Sequence, residues 1–166
     1  MNKESIKRKK YEELVSLYHA DLFRYGYWLT HDKQVTEDIV QETFLRAWRG
    51  LEQLQDIKAA KAWLITILRR ENARRFERKQ LTLVDIDDCP LPDEDANIEA
   101  GIENKALAQA LNMLSNDYKE PLLLQVVLGF SGDEIAKQLN LNKNTVMTRL
   151  FRAKKQLAAL LTSENS

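Results

Sequence analysis

The sequence predicts an all-α protein: two small helical domains joined by an acidic linker, the C-terminal one a helix-turn-helix. Three observations carry this. Apolar residues recur at three- and four-residue steps through most of the chain, and only 5 glycines and 3 prolines interrupt its 166 residues. A formal net charge of zero hides a sharp division. Residues 1–80 hold 17 Lys and Arg against 12 Asp and Glu, residues 81–104 hold 8 acids and no base, and residues 105–166 hold 8 bases against 5 acids. Finally, the stretch from Ser131 to Lys154 carries the cap, turn and second-cap signals of two short crossed helices.

Within residues 1–80, Tyr11, Leu14, Val15, Tyr18, Leu22 and Tyr25 trace a first amphipathic helix that continues through Leu29. Thr36 is placed to cap a second helix, whose Val40, Phe44, Ala47 or Trp48, and Leu51 lie on one side. That leaves Asp38, Gln41, Glu42, Leu45, Arg46 and Arg49 outside or at its margins, where plain solvation is the ordinary role of a polar face. A third helix from about Lys58 turns Trp63, Leu64, Ile67, Leu68 and later Phe76 inward. Its outer part carries Arg69, Arg70, Arg74, Arg75, Arg78 and Lys79 against Glu71 and Glu77. So many bases in about three turns repel one another, a cost that makes sense if a polyanion binds there. The competing reading is an arginine face relieved by its own glutamates, its stems lying along apolar surface.

Residues 81–104 read as the linker, because the acidic run contains Cys89-Pro90-Leu91-Pro92 and no long apolar pattern. Cys89 is the one cysteine, so no intrachain disulfide forms, and the two histidines, His19 and His31, are scattered rather than grouped as metal ligands. No glycine-rich phosphate loop or paired nucleophile and base is visible, which argues against an enzyme, and no cofactor is implied. The longest apolar run, Leu122 to Leu128, is interrupted by Gln125 and far too short for a membrane span. Lys7-Arg8-Lys9-Lys10 is followed by Tyr11-Glu12-Glu13 rather than an apolar core, so no secretory signal is read and a cytoplasmic location is expected.

In residues 105–166, Ser131 and Glu134 have capping-box spacing, and Ile135 and Leu139 share one side of the helix they begin. Ala136 is small where a second helix must cross closely. Asn140 tolerates the left-handed backbone that a tight turn needs, and Asn142 can cap the next helix. There Val146, Leu150, Ala153, Leu157 and Leu160 or Leu161 form one apolar stripe. The opposite face carries Asn144, Thr148, Arg152 and Lys155, with Lys143 and Arg149 flanking, all types that hydrogen-bond base edges and phosphates. A solvated amphipathic helix in a bundle is the alternative for that helix taken alone.

Three motifs together go further. Asp38-Ile39-Val40-Gln41-Glu42-Thr43-Phe44-Leu45-Arg46-Ala47-Trp48, then Ala62-Trp63-Leu64-Ile65-Thr66-Ile67, then Glu134-Ile135-Ala136 with Thr145 to Lys154, resemble the successive signatures of bacterial extracytoplasmic-function (ECF) sigma factors of the sigma-70 family. The resemblance runs from about residue 11 to 160 and implies sigma region 2 in 1–80 and region 4 in 105–166. By that resemblance Asp38, Gln41, Glu42, Leu45 and Arg46 dock on core RNA polymerase. Arg69, Arg70, Arg74, Arg75 and Arg78 would bind the minus-ten element of promoter DNA. Lys143, Asn144, Thr145, Thr148, Arg149, Arg152 and Lys155 would bind the minus-thirty-five element, with Asn144, Thr148, Arg149 and Arg152 nearest the bases. An anti-sigma factor is an implied partner, and no membrane insertion is implied.

The chain also departs from the family pattern. Arg70 and Arg74 stand where asparagine and aspartate are common, and Met147 where lysine or arginine is frequent. Ser115 replaces a frequent proline and Asn140 a frequent glycine. Two other classes compete with a sigma factor: a stand-alone helix-turn-helix regulator with N-terminal sensing or dimerising helices, and an enzyme with an appended binding module. The first would need no polymerase-docking face.

Overall fold

The computed structural model describes residues 2–81 and 105–164, which fall in two compact units, and all regular structure among them is helical. The linker expected over 81–104 lies, apart from Leu81, outside the described residues.

In the N-terminal unit α1 spans Lys3–Thr30 and so begins well ahead of Tyr11. Asn2 caps it, its Oδ1 accepting from Ser5 N at 2.8 Å. The basic run is absorbed into the helix because its stems have somewhere to lie. Lys7 Nζ sits 4.3 Å from the centroid of the Trp48 ring, and Lys10 Nζ donates to the Leu54 carbonyl at 3.0 Å. Toward its end the helix is enclosed on more than one side, with Leu22, Phe23, Tyr25, Tyr27 and Trp28 all buried. Gly26 allows this: a Cβ there would meet Thr36 Cγ2 at 3.1 Å, so α1 and the next helix approach closely at that point. His31 ends α1 in a left-handed conformation, its N–H donating to the Tyr27 carbonyl at 2.8 Å.

Helix α2 spans Lys33–Arg49 and is capped by Asp32, whose Oδ1 accepts from Val35 N at 3.1 Å. This corrects the expected cap at Thr36, which lies inside the helix and is wholly buried. Facing α1, its hydroxyl has local partners within the seam, donating to the Asp32 carbonyl and lying 2.7 Å from Thr30 Oγ1. Val40, Phe44 and Ala47 form the buried side of α2 as expected, joined by Ile39 and Thr43, while Leu51 is buried just beyond the helix. Two single 3-10 turns, Leu51–Gln53 and Ile57–Ala59, then lead into α3, Ala60–Leu81. Leu14, Leu51, Leu54 and Ala60 make a buried cluster on which Tyr11, Tyr18 and Trp63 pack. Trp63 is thus core material. Leu64, Ile65 and Leu68 complete the buried face of α3, whereas Phe76, expected inward, is 57% exposed. From Arg69 through Lys79 no residue of α3 is buried, so the helix outruns the core that its first half covers.

The C-terminal unit contains α4 (Lys105–Met113), α5 (Asn116–Val126), α6 (Gly132–Leu139) and α7 (Lys143–Glu164). Ala110, Leu111, Leu122, Leu123, Leu124, Phe130, Ile135, Val146, Leu150 and Ala153 are buried, so all four helices contribute to one core. Gly129, at φ 70°, turns the chain out of α5, and the following Phe130 N–H donates to the Leu124 carbonyl at 3.1 Å. Ser115 precedes α5 as N-cap without a capping bond from its side chain. Lys119 donates to Asn112 Oδ1 at 2.9 Å, and burial lowers its pKa below the usual lysine range.

The helix-turn-helix signals are realised atom by atom. Glu134 N–H donates to Ser131 Oγ at 3.2 Å while Ser131 N–H donates to Glu134 Oε1 at 3.0 Å. Asn140 adopts φ 55°, ψ 49°, and Asn142 Oδ1 accepts from Asn144 N at 2.8 Å. Ser131→Ala, which removes one half of the box, is expected to cost this unit about 1 kcal/mol, visible as a lower thermal midpoint for its helices.

Candidate nucleic-acid and polymerase interfaces

On the outer side of α2, residues at steps of three and four carry the polar face. Asp38, Gln41 and Leu45 are exposed, and Glu42 and Arg46 are partly exposed beside them. These five fall on one side of the helix, because 38, 41, 42, 45 and 46 repeat the helical period. Gln34 Nε2 donates to Asp38 Oδ1 at 3.2 Å, which holds one carboxylate oxygen outward. Leu45, 46% exposed, gives this acidic face an apolar centre. Arg46 differs from the other four. Its Nε lies 3.3 Å from Glu42 Oε1 and 2.5 Å from Glu71 Oε1, so it ties α2 to α3 instead of standing free. Glu71 is the more enclosed partner, its side chain 11% exposed, and it also pairs with Arg74 at 3.2 Å.

The projecting half of α3 presents Arg70, Arg74 and Arg78 at steps of four, and all three are exposed. They run along one line of the helix. Arg69 and Arg75 are half-buried and leave that line, Arg69 on the side nearer the core. Of the five arginines expected to act together, the structure therefore lines up three. Phe76 is exposed on the other side of the helix, and Glu71, paired with Arg74, offsets part of the positive charge.

Helix α7 separates its faces cleanly. Val146, Leu150 and Ala153 are buried, while Asn144, Thr148, Arg152 and Lys155 are exposed on the opposite side. Lys143 is exposed at the start of the helix, 3.3 Å from Asp133 Oδ1 on α6, and Thr145 is half-buried. Arg149 is drawn to the flank, its Nη1 3.7 Å from Asp117 Oδ1 on α5 and its side chain 29% exposed. It thus lies beside the group formed by Asn144, Thr148 and Arg152 rather than within it. Sequence reasoning missed Phe151, which is 70% exposed and sits three residues from Thr148 and four from Lys155 on the same outer side. The helical spacing that found Thr148 also finds Phe151; its apolar type is what kept it off the polar face.

Among the described residues no group of His, Cys, Asp or Glu is arranged to hold a metal ion, and no helix is long and apolar enough to cross a membrane. A helical protein whose C-terminal unit is a capped helix-turn-helix with a polar, partly basic outer face falls in the class of helix-turn-helix DNA-binding proteins. Comparison with known proteins narrows this. The model of sigma-70 region 2 matches residues 14–82, and the model of sigma-70 region 4 matches residues 104–157. The ECF RNA polymerase sigma factor SigL of Mycobacterium tuberculosis is 32% identical over 162 residues, covering 95% of this chain and 89% of that protein. SigV of Bacillus subtilis, an RNA polymerase sigma factor, is 28% identical over 99% of both chains. Among solved structures, the sigma factor RpoE of Bartonella quintana, crystallised with the anti-sigma factor NepR, superposes with a TM-score of 0.76 at 27% identity, over 93% of this chain and 98% of that one. The chain belongs to the ECF sigma factors of the sigma-70 family.

Proposed function

We propose that this chain binds core RNA polymerase through α2 and directs it to promoters by reading two DNA elements, one with each helical unit. The observation that carries the reading is the presence, in order on one chain, of an acidic, apolar-centred face on α2 and a helix-turn-helix with a DNA-type face on α7. A stand-alone regulator has no use for the first. Residues 1–80 act as region 2, with Asp38, Gln41, Glu42 and Leu45 on polymerase and Arg46 bracing α2 against Glu71. Arg70, Arg74 and Arg78 follow the phosphates of the minus-ten element, with Arg69 and Arg75 beside them. Residues 81–104 connect the two, and residues 105–166 act as region 4.

At the minus-thirty-five element α7 enters the major groove. Asn144, Thr148 and Arg152 reach base edges, while Lys143, Thr145 and Lys155 meet phosphates. Arg149, steadied by Asp117, serves the edge of the same contact. The chain does no chemistry of its own and works in the cytoplasm, where polymerase is. An anti-sigma factor is a partner, as NepR is for the similar RpoE.

Adding the chain to core polymerase and sequencing the transcripts tests this directly: a discrete set of start sites sharing two upstream elements is expected, and unchanged transcription refutes it. Arg152→Ala should weaken promoter binding by about 1–3 kcal/mol, and Arg149→Ala, at the edge of the contact, by less. Promoter selectivity unchanged in both variants, read by in vitro transcription, argues against groove reading by α7.

A further inference from the structure

Met147 and Phe151 are the large apolar side chains that α7 leaves exposed, at 51% and 70%. Four residues apart, they are neighbours on one flank of the helix, with Cβ atoms about 5–6 Å from each other. Lys143, Asn144, Thr148 and Arg152 surround them with groups suited to a polyanion. Within such a face the exposed parts of both side chains are available to an apolar group on whatever the face binds. The base edges of the major groove present one apolar group, the C5-methyl of thymine.

Met147 is also held in place. A Cβ at Gly132 would lie 3.1 Å from Met147 Sδ and 4.0 Å from Lys143 Cε, so both side chains rest on the bare first residue of α6. Lys143 also lies 3.3 Å from Asp133 of α6, an exposed pair. The thioether thus lies against α6 while half of the Met147 side chain stays exposed. Its thioether has no charge to attract phosphate but offers apolar surface to the methyl group that marks thymine in the groove.

We propose that Met147, seated on Gly132 and flanked by Phe151, reads the C5-methyl of a thymine in the minus-thirty-five element. This rests on the promoter-reading function of α7. The test uses holoenzyme formed from the full chain and core polymerase, offered duplexes with randomised minus-thirty-five positions. The enriched element is then resynthesised with deoxyuridine in place of each thymine in turn, which removes only the methyl group. Wild-type holoenzyme should lose about fourfold in affinity at one position, the worth of one methyl withdrawn from water. Holoenzyme with Met147→Ala should bind the thymine duplex about fourfold more weakly than the wild type and bind the thymine and deoxyuridine duplexes equally. An enriched element without thymine, indifference of the wild type to every deoxyuridine, or undiminished sensitivity in Met147→Ala overturns the proposal. Failure to enrich any element overturns promoter reading by α7, and the methyl contact with it.

Discussion

Replacing Asp38 and Glu42 with lysine is expected to abolish co-purification of the chain with core RNA polymerase while leaving its helix content unchanged. Asp38 is exposed and Glu42 partly so, on the face whose apolar centre is Leu45. If that face docks on a basic surface, each reversal turns an attraction into a repulsion. Disrupting a desolvated charge pair in an interface costs on the order of 2–5 kcal/mol, so two reversals exceed what a typical complex can lose. The fold tolerates the change for an identifiable reason. Arg46 loses its partner at position 42 but keeps Glu71 at 2.5 Å, so the tie between α2 and α3 survives. The new like-charged pair at positions 42 and 46 costs only a few tenths of a kcal/mol on a helix surface. Circular dichroism and affinity capture of the core enzyme separate the two effects. Binding retained by the double variant at moderate salt removes α2 as the docking face.

The C-terminal unit was legible in detail because its decisive signals are local. A capping box spans four residues, a left-handed asparagine one, and a cap-to-backbone bond three, so Ser131, Glu134, Asn140 and Asn142 needed no knowledge of the rest of the molecule. The misses in the N-terminal unit share the opposite cause. Thr36 has the right type for a helix cap, but Asp32 offers the same chemistry one turn earlier, and the close approach of α1 at Gly26 buries Thr36 instead. The start of α1 was hidden because a run of four basic residues carries no apolar period, and its partners, Trp48 for Lys7 and the Leu54 carbonyl for Lys10, lie far along the chain. Phe76 continues the apolar type of α3 past the point where the core ends, a boundary set by the packing of other helices and invisible in α3 itself. The ion pairs that engage Arg46 and Arg149 involve Glu71 and Asp117, 25 and 32 residues away in sequence. Helical spacing says which residues share a face, but partners on other helices decide which of those are free to leave it.

Ile135→Asp is expected to unfold the C-terminal unit alone. Ile135 is fully buried on α6, within a core that includes Val146, Leu150 and Ala153 of α7. An aspartate there forfeits the apolar contact and places a carboxylate where, among the described residues, no base is buried to receive it. Leaving a polar or charged group unpaired in such a site costs several kcal/mol even after partial relaxation. At about 0.05–0.15 kcal/mol per residue, a unit of this size holds roughly 3–9 kcal/mol of stability, so the substitution meets or exceeds the whole. The N-terminal unit has its own buried cluster around Leu14, Leu51, Leu54 and Ala60 and contains the α2 face, so it should remain folded and should still bring down core polymerase. The expected signature is therefore partial: helicity falls by the share belonging to residues 105–164, and protease trims that unit. Transcription that depends on the minus-thirty-five element stops, yet polymerase capture persists. Ile135→Val, losing one methylene, should shift the thermal midpoint by only a few degrees and retain transcription. If Ile135→Asp instead abolishes polymerase capture together with all helicity, the two units do not fold independently, and the division of labour between residues 1–80 and 105–166 is wrong.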